Sequence, residues 1–147
     1  MLDPIQHTLE VEASTEEVWR VLTTRKLIEQ WLMPNNFKPI VGKPFKFIWN
    51  PNDKEDAGKT DCKVTQMIPQ RQLTYTWREK GFPTYTMVTF ELQPKRGSTS
   101  ITLTHDRWER FEDRKWRHYW ARLNEGWRDT VLADLADTVE SEAAVEA

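Results

Sequence analysis

The chain has 147 residues, among them eight tryptophans, five glycines and one cysteine, and its formal net charge is −2. This length suits one domain, and 38% hydrophobic with 30% charged residues excludes a disordered or fibrous chain. The single cysteine, Cys62, excludes an internal disulfide framework and is compatible with a reducing compartment. We expect one domain over residues 1–147, with its core at 5–139 and a frayed acidic tail at 140–147.

The charge and the apolar runs of the sequence narrow the classes of partner. A slight acidic surplus argues against nucleic acid, since proteins that neutralise phosphates usually carry a basic surplus. The first residues lack the basic and apolar segments of a secretion signal, and no apolar run approaches the ~20 residues of a membrane helix. We therefore expect a cytoplasmic protein that binds neither nucleic acid nor membrane. The sequence leaves both a monomer and a homodimer open.

The first third of the chain is typical of one strand followed by two short helices. Alternation predicts a first strand at Ile5, His7, Leu9 and Val11. Ser14 and Glu17 form a capping-box pattern, in which each side chain can bond a free backbone N–H at the start of a helix. A second helix is indicated by the spacing of Leu27, Ile28, Trp31 and Leu32. This helix should end before Pro34.

Five further strands are predicted after these helices, because apolar residues alternate between turns that contain glycine or proline. The alternating sets are Phe45, Phe47, Trp49; Leu73, Tyr75, Trp77; Thr86, Val88, Phe90, Leu92; and Ile101, Leu103, His105. Residues 60–68 form a weaker strand between the first two sets. Antiparallel strands joined by short turns, with helices at the ends of the chain, predict an α+β fold with a sheet of about six strands.

The last third of the chain predicts one long helix. Between about Glu112 and Val139, apolar residues recur at spacings of three or four, at Trp116, Trp120, Leu123, Trp127, Val131 and Leu135. Gly126 interrupts this pattern and is unfavourable in a helix, so we expect another backbone to approach closely there. A straight helix cannot follow a twisted sheet along its full length, which predicts a gap or cavity between the two.

Several motifs resemble those of a known family. The segment from Ala13 to Thr23, ASTEEVWRVLT, is similar to the opening of the activator of heat-shock protein 90 ATPase homologue-like family, in the START-like (SRPBCC, helix-grip) superfamily. Later segments are similar to the family's strand and C-terminal helix signatures: LTYTW at 73–77, TFELQP at 89–94, TLTH at 102–105 and Gly126-Trp127. The resemblance covers roughly residues 5–139. It implies a curved antiparallel sheet wrapped on the long helix, with a ligand-accommodating cavity between them.

The resemblance and the aromatic residues together indicate a binding protein. Tryptophan and tyrosine combine a large apolar area with one hydrogen-bonding group, which suits a flat hydrophobic ligand. We expect non-covalent binding of a small hydrophobic or aromatic molecule by Trp31, Phe47, Trp49, Tyr75, Trp77, Phe90, His105, Trp120 and Trp127. The alternative is that the same rings fill the core.

Catalytic and metal chemistry have weaker support in the sequence. His105 is in phase with Ile101 and Leu103, so it is either a satisfied core histidine or the acid/base of a cyclase or dehydratase-type enzyme. No triad is discernible, and we assign no catalytic residue. Cys62 is interpreted as a structural thiol. Dispersed histidines and glycines match no metal or phosphate-loop motif, so we expect neither a metal nor a cofactor.

A basic stretch from Arg107 to Arg128 offers a second function. It predicts a partner-docking face at Arg114, Arg117 and Arg122, and the resemblance implies a chaperone ATPase as the partner, in a stress-related role. The alternative is that these charges pair with acids elsewhere in the protein or remain solvated.

Overall fold

The computed structural model describes residues 1–55 and 58–146, and the elements follow the predicted α+β order. They are β1 (Ile5–Val11), α1 (Thr15–Thr23), α2 (Arg25–Trp31), β2 (Pro44–Trp49), β3 (Gly58–Ile68), β4 (Gln72–Glu79), β5 (Thr86–Lys95), β6 (Ser98–Asp106), α3 (Asp113–Gly126) and α4 (Leu132–Glu146). A π-helical turn, Trp127–Val131, joins α3 to α4 without a break. The predicted helix-grip fold is confirmed.

The six strands form one antiparallel sheet in the order β1-β6-β5-β4-β3-β2. Because β1 and β2 lie at opposite edges, the helices α1 and α2 between them must cross the sheet. Successive side chains of a strand point to opposite faces of the sheet, so every second side chain along most of β5 and β6 is buried. These buried side chains face the helices. Gly97 turns the β5-β6 hairpin with a φ of 78°, a conformation that glycine adopts without strain.

The helices differ in how they contact the core. The hydroxyl of Ser14 accepts a hydrogen bond from the backbone N–H of Glu17 at 3.1 Å, as the capping pattern predicts, so α1 begins where expected. Three helices, α1, α2 and α4, contribute buried residues to the core. These residues are Val18, Val21, Leu22, Leu27, Ile28, Trp31, Leu132, Leu135, Thr138 and Val139. By contrast, α3 contains no fully buried residue. The C-terminal helix is therefore fixed to the core through α4, while α3 covers the other end of the sheet more loosely.

Two expectations about the C-terminal helix are wrong. The tail at 140–147 is helical through Glu146, because polar contacts hold it: Glu140 accepts a hydrogen bond from the backbone N–H of Glu12, and Glu142 pairs with Arg20 at 3.0 Å. Residue 147 lies outside the described residues. Gly126 meets no close neighbour, since a Cβ built there has no heavy atom of the described residues within 4 Å. It precedes the π turn instead.

Candidate ligand site

Most of the predicted ligand-binding aromatics pack against one another in the middle of the sheet. Trp31, Phe47, Tyr75, Phe90, His105 and Trp127 are each at most 2% exposed. Their rings form a continuous set of edge-on and tilted contacts, with Trp31 5.7 Å from Phe90 and Phe90 6.3 Å from Trp127 between ring centroids. Such contacts fill the space between the sheet and the π turn. The gap that a curved sheet leaves under a straight helix is thus closed here by side chains of the protein itself.

His105 has a fully satisfied hydrogen-bonding position in this core. The indole N–H of Trp127 can only donate, so Nδ1 of His105, 3.1 Å away, accepts and carries no proton. Nε2 therefore carries the proton and donates to Oγ1 of Thr86 at 2.6 Å, and the Thr86 hydroxyl donates to the carbonyl of Trp77 at 2.9 Å. Burial lowers the pKa of His105 to about 3. The imidazole is held neutral, and both of its nitrogens are bonded within the protein.

A cavity of about 280 Å³ lies beside this core, between the sheet and α3; we call it the helix cavity. Its lining combines apolar and aromatic groups with three polar or charged side chains, Thr60, Glu79 and Arg122. The other lining residues are Met33, Trp49, Trp77, Tyr119 and Leu123. Trp49 and Trp77 are thus the two predicted ligand residues that border it. The other predicted residues lie in the core, apart from Trp120, whose indole donates to the backbone carbonyl of Asp3 at 2.9 Å.

Two buried polar atoms, on residues that line the helix cavity, lack a hydrogen-bond partner among the described residues. The side chain of Thr60 lies on the inward face of β3 and is only 1% exposed. Among the residues that the structure describes, neither Oγ1 of Thr60 nor Nε1 of Trp49 makes a hydrogen bond. Most buried polar groups in proteins are bonded, and each exception needs an explanation. Both atoms are therefore candidates for contact with a bound molecule.

Glu79 connects the sheet to α3 at the same place. Its Oε2 accepts hydrogen bonds from the indole N–H of Trp77, at 3.1 Å, and from the hydroxyl of Tyr119 on α3. Burial raises the pKa of Tyr119, and the negative charge of Glu79 raises it further, so the phenol remains a donor. Tyr119 thereby holds α3 closed over the helix cavity.

A larger open groove of about 860 Å³ adjoins the helix cavity at the ends of β3 and β4; we call it the edge groove. Its residues are Trp49, Gly58, Lys59, Asp61, Arg78, Glu79, Lys80, Gly81 and Phe82, so Trp49 and Glu79 border both spaces. Trp49 pairs with Gly58 across the strands and covers it: a Cβ at Gly58 would lie 2.0 Å from the indole Cζ2. Only glycine at this position leaves room for the indole where it stands.

Comparison with known proteins places the chain in a family. The model of the family described as "Activator of Hsp90 ATPase homolog 1-like protein" matches residues 12–140. The chain belongs to this family. No curated protein matches the chain.

Three solved structures show how closely the fold of this Hsp90-activator-like domain follows its relatives. Protein MLL2253 of Mesorhizobium loti is 26% identical, with a TM-score of 0.75 and 95% of each chain covered. The Aha1 dimer of Colwellia psychrerythraea is 25% identical, with a TM-score of 0.77 over 95% of this chain and 97% of that one. Protein BH1534 of Bacillus halodurans is 25% identical, with a TM-score of 0.75 over 95% and 98%. These structures share the fold of the chain over nearly their whole length.

The three arginines predicted to bind a partner have different surroundings in this family member. Arg114 is exposed on α3. Arg117 is paired with Asp113, through contacts of 2.5 and 2.6 Å, and this guanidinium holds the pKa of Asp113 at about 2. Arg122 borders the helix cavity. All three arginines are exposed on α3, and their contact with a partner stays a prediction.

Thiol and metal chemistry have little structural support. Cys62 is 4% exposed, and burial raises the pKa of its thiol well above the usual range, which disfavours the reactive thiolate. Within residues 1–55 and 58–146, no group of three His, Cys, Asp or Glu side chains is arranged to hold a metal ion. The helices of this part of the chain are also too short or too polar to span a membrane.

The residues that reasoning from the sequence missed are Met33, Thr60, Glu79, Tyr119 and Leu123. For one of them, Glu79, the sequence contains a pattern that could have indicated its role. Glu79 continues the inward period of Leu73, Tyr75 and Trp77, and a carboxylate on an otherwise apolar face indicates a special environment. Thr60 is in phase with Val64 on β3 in the same way, but a threonine in a strand attracts no attention by itself.

Proposed function

We propose that this protein binds a small hydrophobic or aromatic molecule without covalent chemistry, in the helix cavity and the adjoining edge groove. The observation that carries the proposal is a pair of buried atoms without a partner among the described residues, Oγ1 of Thr60 and Nε1 of Trp49, on two residues that line a cavity bordered by two indoles. Ligand sites are typically concave and mostly apolar, with a few polar groups that fix the orientation of the ligand.

The packing of the interior supports this location over the centre of the sheet. A ligand among Phe47, Phe90 and His105 would have to separate completely buried rings that are connected through contacts with Tyr75 and Trp127. The helix cavity is bordered instead by α3, which has no fully buried residue and can move at smaller cost.

Filling the helix cavity should abolish binding. The variant Leu123→Phe adds a ring from α3 into the cavity, and we expect at least a tenfold loss of affinity for a panel of flat aromatic compounds such as naphthalenes and flavones. Glu125→Phe adds the same ring at an exposed position of the same helix and should leave affinity unchanged. Tryptophan emission and the shift in melting temperature measure both variants. A panel that neither shifts the emission nor raises the melting temperature of the unsubstituted protein would contradict the proposal.

A second candidate function is contact with the Hsp90 ATPase, which the family description supports. It is favoured by the exposed basic side chains at the start of α3, where Arg114 and Lys115 lie outside the core. Charge reversal by Arg114→Glu should weaken the stimulation of ATPase turnover by purified Hsp90. The stimulation should also fall as the salt concentration rises, because exposed charges act over only about 10 Å at moderate salt. Lys26→Glu, at an exposed position of α2, makes the same change in net charge and serves as the control. ATPase turnover that is unaffected by the protein at any salt concentration would remove this candidate.

A further inference from the structure

The cross-strand register brings the unpartnered atoms of the helix cavity to one place. Thr60 lies opposite Phe47 on β2 and opposite Glu79 on β4, while Trp49 lies two residues further along β2. Directly opposite side chains have Cβ atoms about 5 Å apart, and diagonal ones about 7 Å apart. Thr60 and Trp49 are therefore near neighbours on the inward face.

The hydrogen-bonding capacity of these groups defines what they can recognise. The indole N–H of Trp49 can only donate, and the hydroxyl of Thr60 can donate or accept. Oε2 of Glu79, the nearest strong acceptor on the opposite strand, is already bonded to Trp77 and Tyr119. A single oxygen atom with two lone pairs, such as a carbonyl oxygen, matches two neighbouring donors.

The charges around the helix cavity favour a neutral ligand. Glu79 supplies one negative charge and Arg122 one positive charge, so the formal charges of the lining cancel. An anion seated at Thr60 would lie directly across the ladder from the Glu79 carboxylate, and like charges at a desolvated site repel strongly. The remaining lining is apolar or aromatic, from Met33, Trp77 and Leu123.

We infer that Thr60 and Trp49 form a donor pair that selects neutral, flat apolar molecules carrying a carbonyl oxygen. The inference rests on the proposed ligand-binding function and assigns the chemical class of the ligand. Leaving either donor unmet in the complex is unfavourable, so a ligand without the oxygen loses affinity even when its shape fits. Thr60 and Trp49 are then residues that determine specificity.

Three compounds of one shape test this assignment by equilibrium dialysis. 2-Acetylnaphthalene carries the carbonyl oxygen, 2-isopropenylnaphthalene replaces that oxygen with a methylene group, and 2-naphthoate carries a negative charge. We expect the ketone to bind about tenfold more tightly than the alkene, as two modest hydrogen bonds would give, and the carboxylate to bind most weakly.

Matched variants assign the preference to the two side chains. Thr60→Val and Trp49→Phe should each lower the affinity for the ketone about three- to tenfold, while the affinity for the alkene stays within about twofold. Thr102→Val, on the outer face of β6, should change neither affinity. The comparison of ketone with alkene on the unsubstituted protein tests the inference even if a variant does not fold.

The possible failures separate the inference from the function on which it rests. Equal affinity for ketone and alkene would overturn the donor pair and leave the ligand-binding function intact. Tightest binding of the carboxylate would overturn the assignment to neutral ligands. Absence of binding by all three compounds would count against both.

Discussion

Acidification should destabilise the protein through one side chain, with about 2 kcal/mol lost between pH 6.5 and pH 4.5 because of His105 alone. Burial lowers the pKa of this imidazole from 6.5 to about 3 in the folded state. Between those values the unfolded chain binds a proton that the folded chain does not, so falling pH favours unfolding by about 1.4 kcal/mol for each pH unit. The contribution is fully present above pH 6.5 and is lost progressively towards pH 3.

The hydrogen bonds of His105 explain why protonation is resisted. A proton on Nδ1 would face the indole N–H of Trp127, which has no acceptor to offer. The three nearest rings belong to Trp77, Trp108 and Trp127, so the added charge would find an apolar environment in place of water. Unfolding is then the available route to protonation.

Denaturant unfolding at several pH values measures this effect. The free energy of unfolding of His105→Gln should fall less steeply between pH 6.5 and 4.5 than that of the unsubstituted protein, on average by about 1 kcal/mol per pH unit. His118→Gln, at an exposed position of α3, should keep the original slope. Identical slopes for His105→Gln would contradict the prediction. The imidazole resonances of His105 in the unsubstituted protein provide a second measurement, and they should not titrate above about pH 4.

Two buried threonines should respond in opposite directions to the same substitution. Thr60 and Thr86 are 1% and 0% exposed, and valine replaces the hydroxyl of each with a methyl group of similar size. Thr86→Val leaves the N–H of His105 and the carbonyl of Trp77 without their partner, and should cost about 2–3 kcal/mol. Thr60→Val removes a hydroxyl with no partner among the described residues, and should stabilise the protein by about 1 kcal/mol.

Chemical denaturation of the two variants tests this prediction. The comparison holds when the free energy of unfolding changes with denaturant concentration at the same slope in both variants and in the unsubstituted protein. Similar destabilisation by both would show that Thr60 has a partner in the folded protein. A stabilising Thr60→Val would mean that the protein keeps an unfavourable hydroxyl, which is common where a ligand needs the group. Stability and ligand affinity should then change in opposite directions at this residue.

The sequence predicted the elements well where one physical signal dominated. Alternation placed β4, β5 and β6, because the buried face of a sheet has a strict period of two. The capping pattern placed the start of α1 at Ser14. His105 was expected to point to the interface between sheet and helix, and it is completely buried there.

The position of the cavity could not be predicted in the same way. Alternation shows that Phe47 and Trp49 share a face, but it does not show that Phe47 packs against Trp77 while Trp49 reaches the edge of the sheet. That difference depends on where α3 crosses the strands. A second aromatic cluster could not be predicted either. It consists of Phe82, Trp108, Phe111 and Trp116, which lie in turns and at the start of α3, where the sequence has no strand period.

The π turn between α3 and α4 was also visible in the spacing of the sequence. From Leu123 the apolar positions step by four, to Trp127, Val131 and Leu135, whereas a regular helix must alternate steps of three and four. Three equal steps of four would carry the apolar stripe about 120° around an ideal helix. The wider turn at Trp127–Val131 takes up that rotation. The π turn therefore sets the rotation between the cavity-facing side of α3 and the core-facing side of α4.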